Sequence, residues 1–433
     1  MEKYLRQYAE PATAAIAALP AAEPWNQVVV IPVCNEATGI LRPLPPAAGR
    51  SLMIVVVNET EGAAQHVSQA NLGFSDELAR LFKAGWQSPA GLTLYRDPAT
   101  PRDILLADRY SDGFRFPASG GVGHARKTGA DLAAWLVHQG RVLSRWIHCS
   151  DADVHLPERY FDCIPEAGGA GAGEIAAMVY PFRHVSGDAA DRISQVTRLY
   201  EFSLRYYVAG LSYAGSPYAF HTIGSTIAVD ALNYARVRGF PRRQAGEDFY
   251  LLNKLAKVGS VRQLAAGIEC EPIEIEARLS DRVPFGTGAA TGKIMEMDNP
   301  AEEFVLYHPA VFDHLRQWLG NLGDFWRQQS CDPAMLSTQG DFRILSDGLI
   351  ELGTEEALKH ALRQSSNVSQ FMRQMHTWFD AFRTLKLIHY LRDRHLHSVS
   401  FESLTTAHDI DHLWSHEPDL LQLHEILREQ DWK

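Results

Sequence analysis

Two aspartates one residue apart, Asp151 and Asp153, close an apolar run in "WIHCSDADVHLP", residues 146–157. Side chains at i and i+2 on leaving a strand point the same way, so both can face one cation. Carboxylates suit a hard ion such as Mg²⁺ or Mn²⁺, which keeps positions open for substrate phosphates. Farther along, Glu247 and Asp248 open a helical pattern in "AGEDFYLLNKLAKVG". A carboxylate there can accept a hydroxyl proton, although the helix macrodipole alone would favour acids at that position. Arg126 and Lys127 follow "GGVG", a strand-to-helix turn of the kind that offers amide donors to an anion. A basic pair on a helix is also the ordinary make-up of a solvated face. His221, in "YAFHTIGST", is a further candidate for the metal or for an acceptor, against the commoner fate of a lone histidine in a core. An Asp-x-Asp by itself is frequent in surface turns, so its meaning depends on what surrounds it.

The surrounding elements read as α/β. "QVVVIPVCNE" and "SLMIVVVNET" are short β-branched runs of the buried parallel type. "GGVGHARKTGADLAAWLVHQG" is a glycine-rich turn entering an amphipathic helix, and "RVLSRWIHCSDAD" is the next strand. In such sheets ligands lie beyond the carboxyl ends of the strands. Asn35 and Glu36, Asn58 and Glu59, and the 151/153 pair all stand at such ends. They share one cleft rim if the strands are parallel neighbours. "EIAAMVYPF" reads as another strand, "RISQVTRLYEFSLRYYVAGL" as a helix, and the chain beyond about residue 300 as helices. The expected organisation is a helical extension over 1–26, an α/β domain over 27–299 and a helical domain over 300–433.

Composition limits the partners. The 433 residues carry 46% hydrophobic and 21% charged side chains with a net charge of −11, which argues against a general grip on nucleic acid or anionic lipid. Five cysteines, odd in number and without a CxxC pair, predict neither a disulfide framework nor a structural zinc site. His408 and His412 in "HDIDH" lack an obvious third ligand and read as surface residues. The N-terminus lacks the apolar core of a signal peptide, and the longest apolar runs fall short of the roughly 20 residues that cross a bilayer. A cytoplasmic protein without a transmembrane segment is expected, compatible with peripheral membrane contact.

Read in order, "VVVIPVCNE", "IVVVNE", "GVGHARKTGADLA", "HCSDADVHLP", "GSTIAVDALNYARVRGF" and "GEDFYLLNKLAKVG" resemble the successive motifs of the GT-A fold glycosyltransferases of family 2. The resemblance covers about residues 27–260. It implies a Rossmann-like sheet with helices on both faces, a nucleotide-sugar donor, Mn²⁺ or Mg²⁺, and transfer to an acceptor hydroxyl. By the same resemblance Pro32, Asn35 and Glu36 line the nucleotide pocket, and Arg126 sits near the base or diphosphate. Asp151 lies near ribose and metal, Asp153 is the more direct metal ligand, and Asp248 is the general base, with Glu247 orienting it or binding acceptor.

Three departures accompany the match. The second strand ends in "NETEG" instead of paired aspartates, leaving Asn58 or Glu59 to meet a base or ribose. The chain between Glu59 and Gly120 is longer than the family core needs, and reads as an insertion shaping the acceptor site or covering it. No Gln-x-x-Arg-Trp follows Glu247–Asp248, which argues against a processive synthase. Arg278, Asp281, Arg282 and Lys293 flank "VPFGTG" as a basic segment that could close on a donor diphosphate or serve as an exposed linker. A nucleotidyltransferase of related architecture and a non-catalytic nucleotide-sugar-binding relative are the alternatives. The first would show a basic glycine-rich signature after the first strand, and the second has no need of all three aspartates.

Overall fold

The computed structural model describes residues 1–36, 45, 49–97, 100–164, 175–186, 191–279, 286–338, 343–417, 419–430 and 432. The chain divides into two compact units, Met1–Gly187 with Thr222–Ala289, and Asp188–His221 with Ala290–Lys433. The division therefore differs from a single cut at residue 300, because an internal stretch belongs with the C-terminal helices.

The strands of the first unit are β1 (Gln27–Val33), β2 (Ser51–Asn58), β3 (Lys83–Ser88), β4 (Leu92–Arg96), β5 (Arg102–Arg109), β6 (Trp146–Cys149), β7 (Val154–His155), β8 (Ile175–Val179), β9 (Phe182–Val185), β10 (Ile227–Asp230), β11 (Ser260–Gln263) and β12 (Ile273–Glu276). Helices in chain order are α1 (Glu2–Gln7), α2 (Ala12–Ala15), α3 (Gln65–Leu81), α4 (Val122–His138), α5 (Arg192–Tyr213), α6 (Ala231–Arg236) and α7 (Glu247–Leu255). All but α5 belong to the first unit.

The main sheet runs β11-β8-β10-β6-β1-β2-β5-β4-β3. Its centre, β6-β1-β2-β5, is parallel throughout, and β1 and β2 are buried along their whole length. That explains their unbroken Val/Ile composition, since neither face meets water. Helix α4 lies close on these strands because position 129 is glycine: a Cβ there would overlap Val30 and press on Val56. A smaller sheet, β7-β12-β9, pairs β12 antiparallel to β7 and parallel to β9.

One expectation changes here, and one feature is added. The stretch read as an insertion after Glu59 supplies β3, β4 and β5, and β5 pairs with β2 along eight residues from Ser51↔Arg102 to Asn58↔Arg109. "ILLA" within it is a buried run like those of β1 and β2, bracketed by charges that hide it in the sequence. Cys163 and Cys270 form a disulfide, a pairing that cysteine number and spacing do not signal. It is one bridge and not a framework, between residues 107 apart in sequence, which no spacing rule connects. Cys34, Cys149 and Cys331 are outside this bridge.

In the second unit α5 and the helices Ala310–Gly320, Leu322–Gln328, Arg343–Glu351, Thr354–Gln364, Val368–Trp378 and Ala381–Arg394 bury Trp318, Phe325, Phe371 and Leu387 in one core, and the helix Leu420–Glu429 packs Leu420 and Leu427 with Phe202 and Phe401 in a second. The long amphipathic pattern after residue 368 is two helices because Asp380 caps the second, its carboxylate accepting from the Arg383 amide at 3.1 Å. Among the described residues no helix is long and apolar enough to cross a membrane.

Candidate functional site

The order β5-β2-β1-β6 means that the chain moves from β1 to one side, then returns to the other side with β6. Such a reversal leaves a crevice beyond the carboxyl ends of the two strands where the direction changes. Pro32 fits that geometry: β1 pairs with β6 only at Val29↔His148 and Val30↔Cys149. A residue without an amide hydrogen therefore falls just past the ladder, where no bond to β6 is lost. Beyond it Asn35 takes a left-handed conformation, φ 52°, which asparagine tolerates better than most residues. Its backbone amide donates to Asn71 Oδ1 at 3.0 Å. Glu36 follows and is buried.

Asp151 and Asp153 leave β6 across the crevice and are each held by an arginine. Arg126 of α4 donates to Asp151 and to Glu247, so it joins the two acid pairs. Its guanidinium is buried and has no room on the side of Gly224, where a Cβ would overlap it. Burial works against the charge, but Asp151 and Glu247 outweigh it and hold the group firmly protonated.

Arg278 grips the other aspartate. Its Nε donates to Asp153 Oδ2 at 2.8 Å, while Nη2 and Nη1 donate to the two Glu36 oxygens at 2.6 and 3.1 Å. The small sheet brings it there: β7 begins one residue after Asp153, pairs with β12, and β12 ends two residues before Arg278. Asp281 and Arg282 lie outside the described residues.

Glu247 and Asp248 start α7 after Gly246, whose φ of 73° is a turn conformation that favours glycine. The approach of this loop to α4 needs glycine at 123, where a Cβ would stand 2.7 Å from the Arg243 carbonyl and 2.9 Å from Glu247 Cβ. Asp248 accepts from the Phe249 amide at 2.7 Å. Burial first, and then the neighbouring Glu247 charge, push its carboxyl up to about 7, with Arg126 and the Phe249 amide pulling the other way. A carboxyl in that range takes and gives protons near neutrality.

The other candidates have different company. Asn58 donates to the Val33 and Val56 carbonyls at 2.9 and 3.2 Å, pinning the ends of β1 and β2 together. Glu59 is buried and accepts from Ser68, Asn71 and Arg115. Lys127 is spent on Asp131 and Tyr4. His221 belongs to the second unit, with Nε2 2.8 Å from Glu417 Oε1, an acid that also pairs with Arg205. His408 follows the last residue of a helix and His412 lies in a separate 3₁₀ turn, so they do not share a helix face.

Sequence reasoning missed Glu10. Its buried carboxylate accepts from Arg242 Nε at 2.6 Å and lies 3.3 Å from His124 Nε2. It thus ties the N-terminal segment to the first turn of α4 and to the loop ahead of Glu247. Burial of Glu10 opposes ionisation, yet the bonds from His124 and Arg242 win and keep its carboxyl below the ordinary range. The only sequence signal is an acid in an otherwise alanine-rich segment.

Among the described residues no three His, Cys, Asp or Glu side chains converge as a closed metal cage. Asp151 and Asp153 supply hard oxygen donors of the kind that hold Mg²⁺ or Mn²⁺ by one or two carboxylates, with substrate phosphates completing the shell. An open site of that type fits these residues, and a structural zinc site does not.

No family model and no curated protein matches the chain. Among solved structures it is similar to the mannosyltransferase PcManGT from Pyrobaculum calidifontis in complex with GDP-Man and Mn²⁺, at 13% identity and a TM-score of 0.34, over 91% of this chain and 94% of that one. A likeness of that degree carries no argument about this chain, whose fold and site stand on their own topology and geometry.

Proposed function

We propose that the chain is a metal-dependent, inverting, non-processive glycosyltransferase that moves a sugar from a nucleotide-sugar donor to an acceptor hydroxyl. The observation that carries this reading is the Arg126 bridge, which brings a metal-type acid pair and a base-type acid pair together at a switch-point crevice. Asp151 and Asp153 would hold Mn²⁺ or Mg²⁺. When bound, that ion stabilises negative charge on a leaving diphosphate.

The chain's own residues do the rest. Asp248, with its carboxyl near neutrality, takes the acceptor proton as the hydroxyl oxygen becomes more acidic during attack. Glu247, locked to Arg126, fixes the turn that presents Asp248. A base acting from the side opposite the departing diphosphate gives inversion at the anomeric carbon. Pro32, Asn35 and Glu36 belong to the nucleotide side of the crevice. Asn58, Glu59 and His221 are left out of the proposed set, because their polar atoms serve the partners described above.

Calorimetry with UDP, GDP and their sugar conjugates, with and without Mn²⁺, tests the reading. Binding that requires Mn²⁺ and disappears in Asp153→Asn is expected. Metal-independent binding, or none by any of these ligands, contradicts it.

A further inference from the structure

We propose that Arg278 is a resident counter-ion of the cation site, displaced from Asp153 when the divalent ion enters and thereby released to meet the donor diphosphate. The inference rests on the glycosyltransferase reading and concerns how that site is regulated. Arg278 uses three nitrogens on two carboxylates of different elements, with Nη2 2.7 Å from Asp153 Oδ2 and 2.6 Å from Glu36 Oε1. A cation on Asp153 would place a second positive charge within a few ångström of this guanidinium, so the two compete for the Asp153 oxygens.

The two arginines of the site differ in whether they can yield. Arg126 is 5% exposed, is seated against Gly224, and rises from a helix packed on the sheet. Arg278 is 29% exposed and stands two residues beyond the end of β12. Its side chain has a route to solvent, and its long stem allows the fork to turn from carboxylate to phosphate, the other anion whose paired oxygens it matches.

Glu36, Asp151, Asp153 and Glu247 lie around two guanidinium groups. A divalent ion shared by Asp151 and Asp153 takes over the neutralisation that Arg278 gives Asp153. The incoming diphosphate then takes the place of Asp153 beside Glu36 as a partner of the arginine. Metal and Arg278 are thus competitors without nucleotide and collaborators with it. A plain structural ion pair would show neither relation.

The test uses the full chain as wild type, Arg278→Gln and Arg278→Lys, with folding verified by circular dichroism. Mn²⁺ alone is titrated by calorimetry, then UDP and GDP are each titrated at saturating Mn²⁺. Arg278→Gln should bind Mn²⁺ about tenfold more tightly and the nucleoside diphosphate about tenfold more weakly, the scale of a lost charge-assisted hydrogen bond. Arg278→Lys, a point charge without the fork, should fall between. Mn²⁺ affinity unchanged or weaker in Arg278→Gln, with wild type binding Mn²⁺, overturns the inference and leaves the glycosyltransferase reading standing. If none of the three proteins binds Mn²⁺ or nucleotide, both fall. Should the glutamine variant not fold, an Mn²⁺ affinity of Arg278→Lys equal to that of wild type overturns the inference.

Discussion

Arg126 and Arg278 perform the same task in opposite ways. Each joins one member of the Asp151/Asp153 pair to a carboxylate from another element. Arg126 does so from inside a packed helix, with Glu247 only 2% exposed. Arg278 does so from the end of a short strand, partly open to solvent. The first arrangement resembles architecture, because nothing around it can move without disturbing α4, the Gly224 turn and the start of α7. The second is a contact that can be exchanged. Placing a fixed clamp on the base side and an exchangeable one on the cation side lets a site bind a charged ligand without losing the geometry of its proton acceptor.

The largest expected effect lies on the fixed side. Asp248→Asn should lower transfer by about 10²- to 10⁴-fold, the usual contribution of a general base, while Mn²⁺-dependent nucleotide binding persists in calorimetry. Transfer at wild-type rate would remove Asp248 from the chemistry. Next, Arg126→Met strips a buried carboxylate of its guanidinium and should cost about 3–5 kcal/mol in denaturant unfolding. Arg278→Met, at a more exposed pair, should cost about 1 kcal/mol or less. Equal losses would erase the distinction between the two clamps.

The disulfide offers a third comparison. Cys163 and Cys270 fasten the chain after β7 to the turn before β12, the two strands that bring Asp153 and Arg278 together. Cys163→Ser should lower stability by about 2–4 kcal/mol, as for removal of a bridge closing a long loop. It should leave the pH dependence set by Asp248 in place. A change in that pH profile would show that the two sides of the site are not independent.

The smallest effect is on pH. Because the Asp248 carboxyl is raised to about 7, transfer should increase with pH through that value as the base form fills. The stability contribution has the opposite sense. A carboxyl raised on folding stabilises most below its ordinary value of about 4, and that contribution is lost as pH climbs toward 7. In an Arg126→Gln protein that still folds, the midpoint of the rate profile should move higher, since Arg126 now pulls it down. A midpoint that stays in place would detach Asp248 from Arg126.

Much of the site could be read along the chain because its parts are local. The apolar run of β1 ends at Pro32 to Glu36, β6 ends at the 151/153 pair, and Gly246 precedes the acids of α7, so strand and helix patterns alone locate these residues at element ends. Arg278 stood out only as one basic residue in a basic segment. Its partners depend on β7 and β12 finding each other across 120 residues of chain, a pairing two residues long that leaves little periodic trace. Asn58 and Glu59 sit at a strand end as expected, and the partners of their side chains, Val33 and Val56 for the first and Ser68, Asn71 and Arg115 for the second, are contacts that the strand pattern does not announce. His221 belongs to another unit, a division set by long-range packing. Glu10 works through tertiary contacts with His124 and Arg242 that no local pattern announces.

The central claim is that Asp151 and Asp153 serve departure of a nucleoside diphosphate from a sugar. Release of UDP or GDP from a panel of nucleotide sugars, followed with Mn²⁺ and with chelator for wild type and Asp153→Asn, tests it most directly. The account predicts Mn²⁺-dependent release from at least one donor by the wild type and its loss in Asp153→Asn. Release that survives both chelation and the substitution would contradict it.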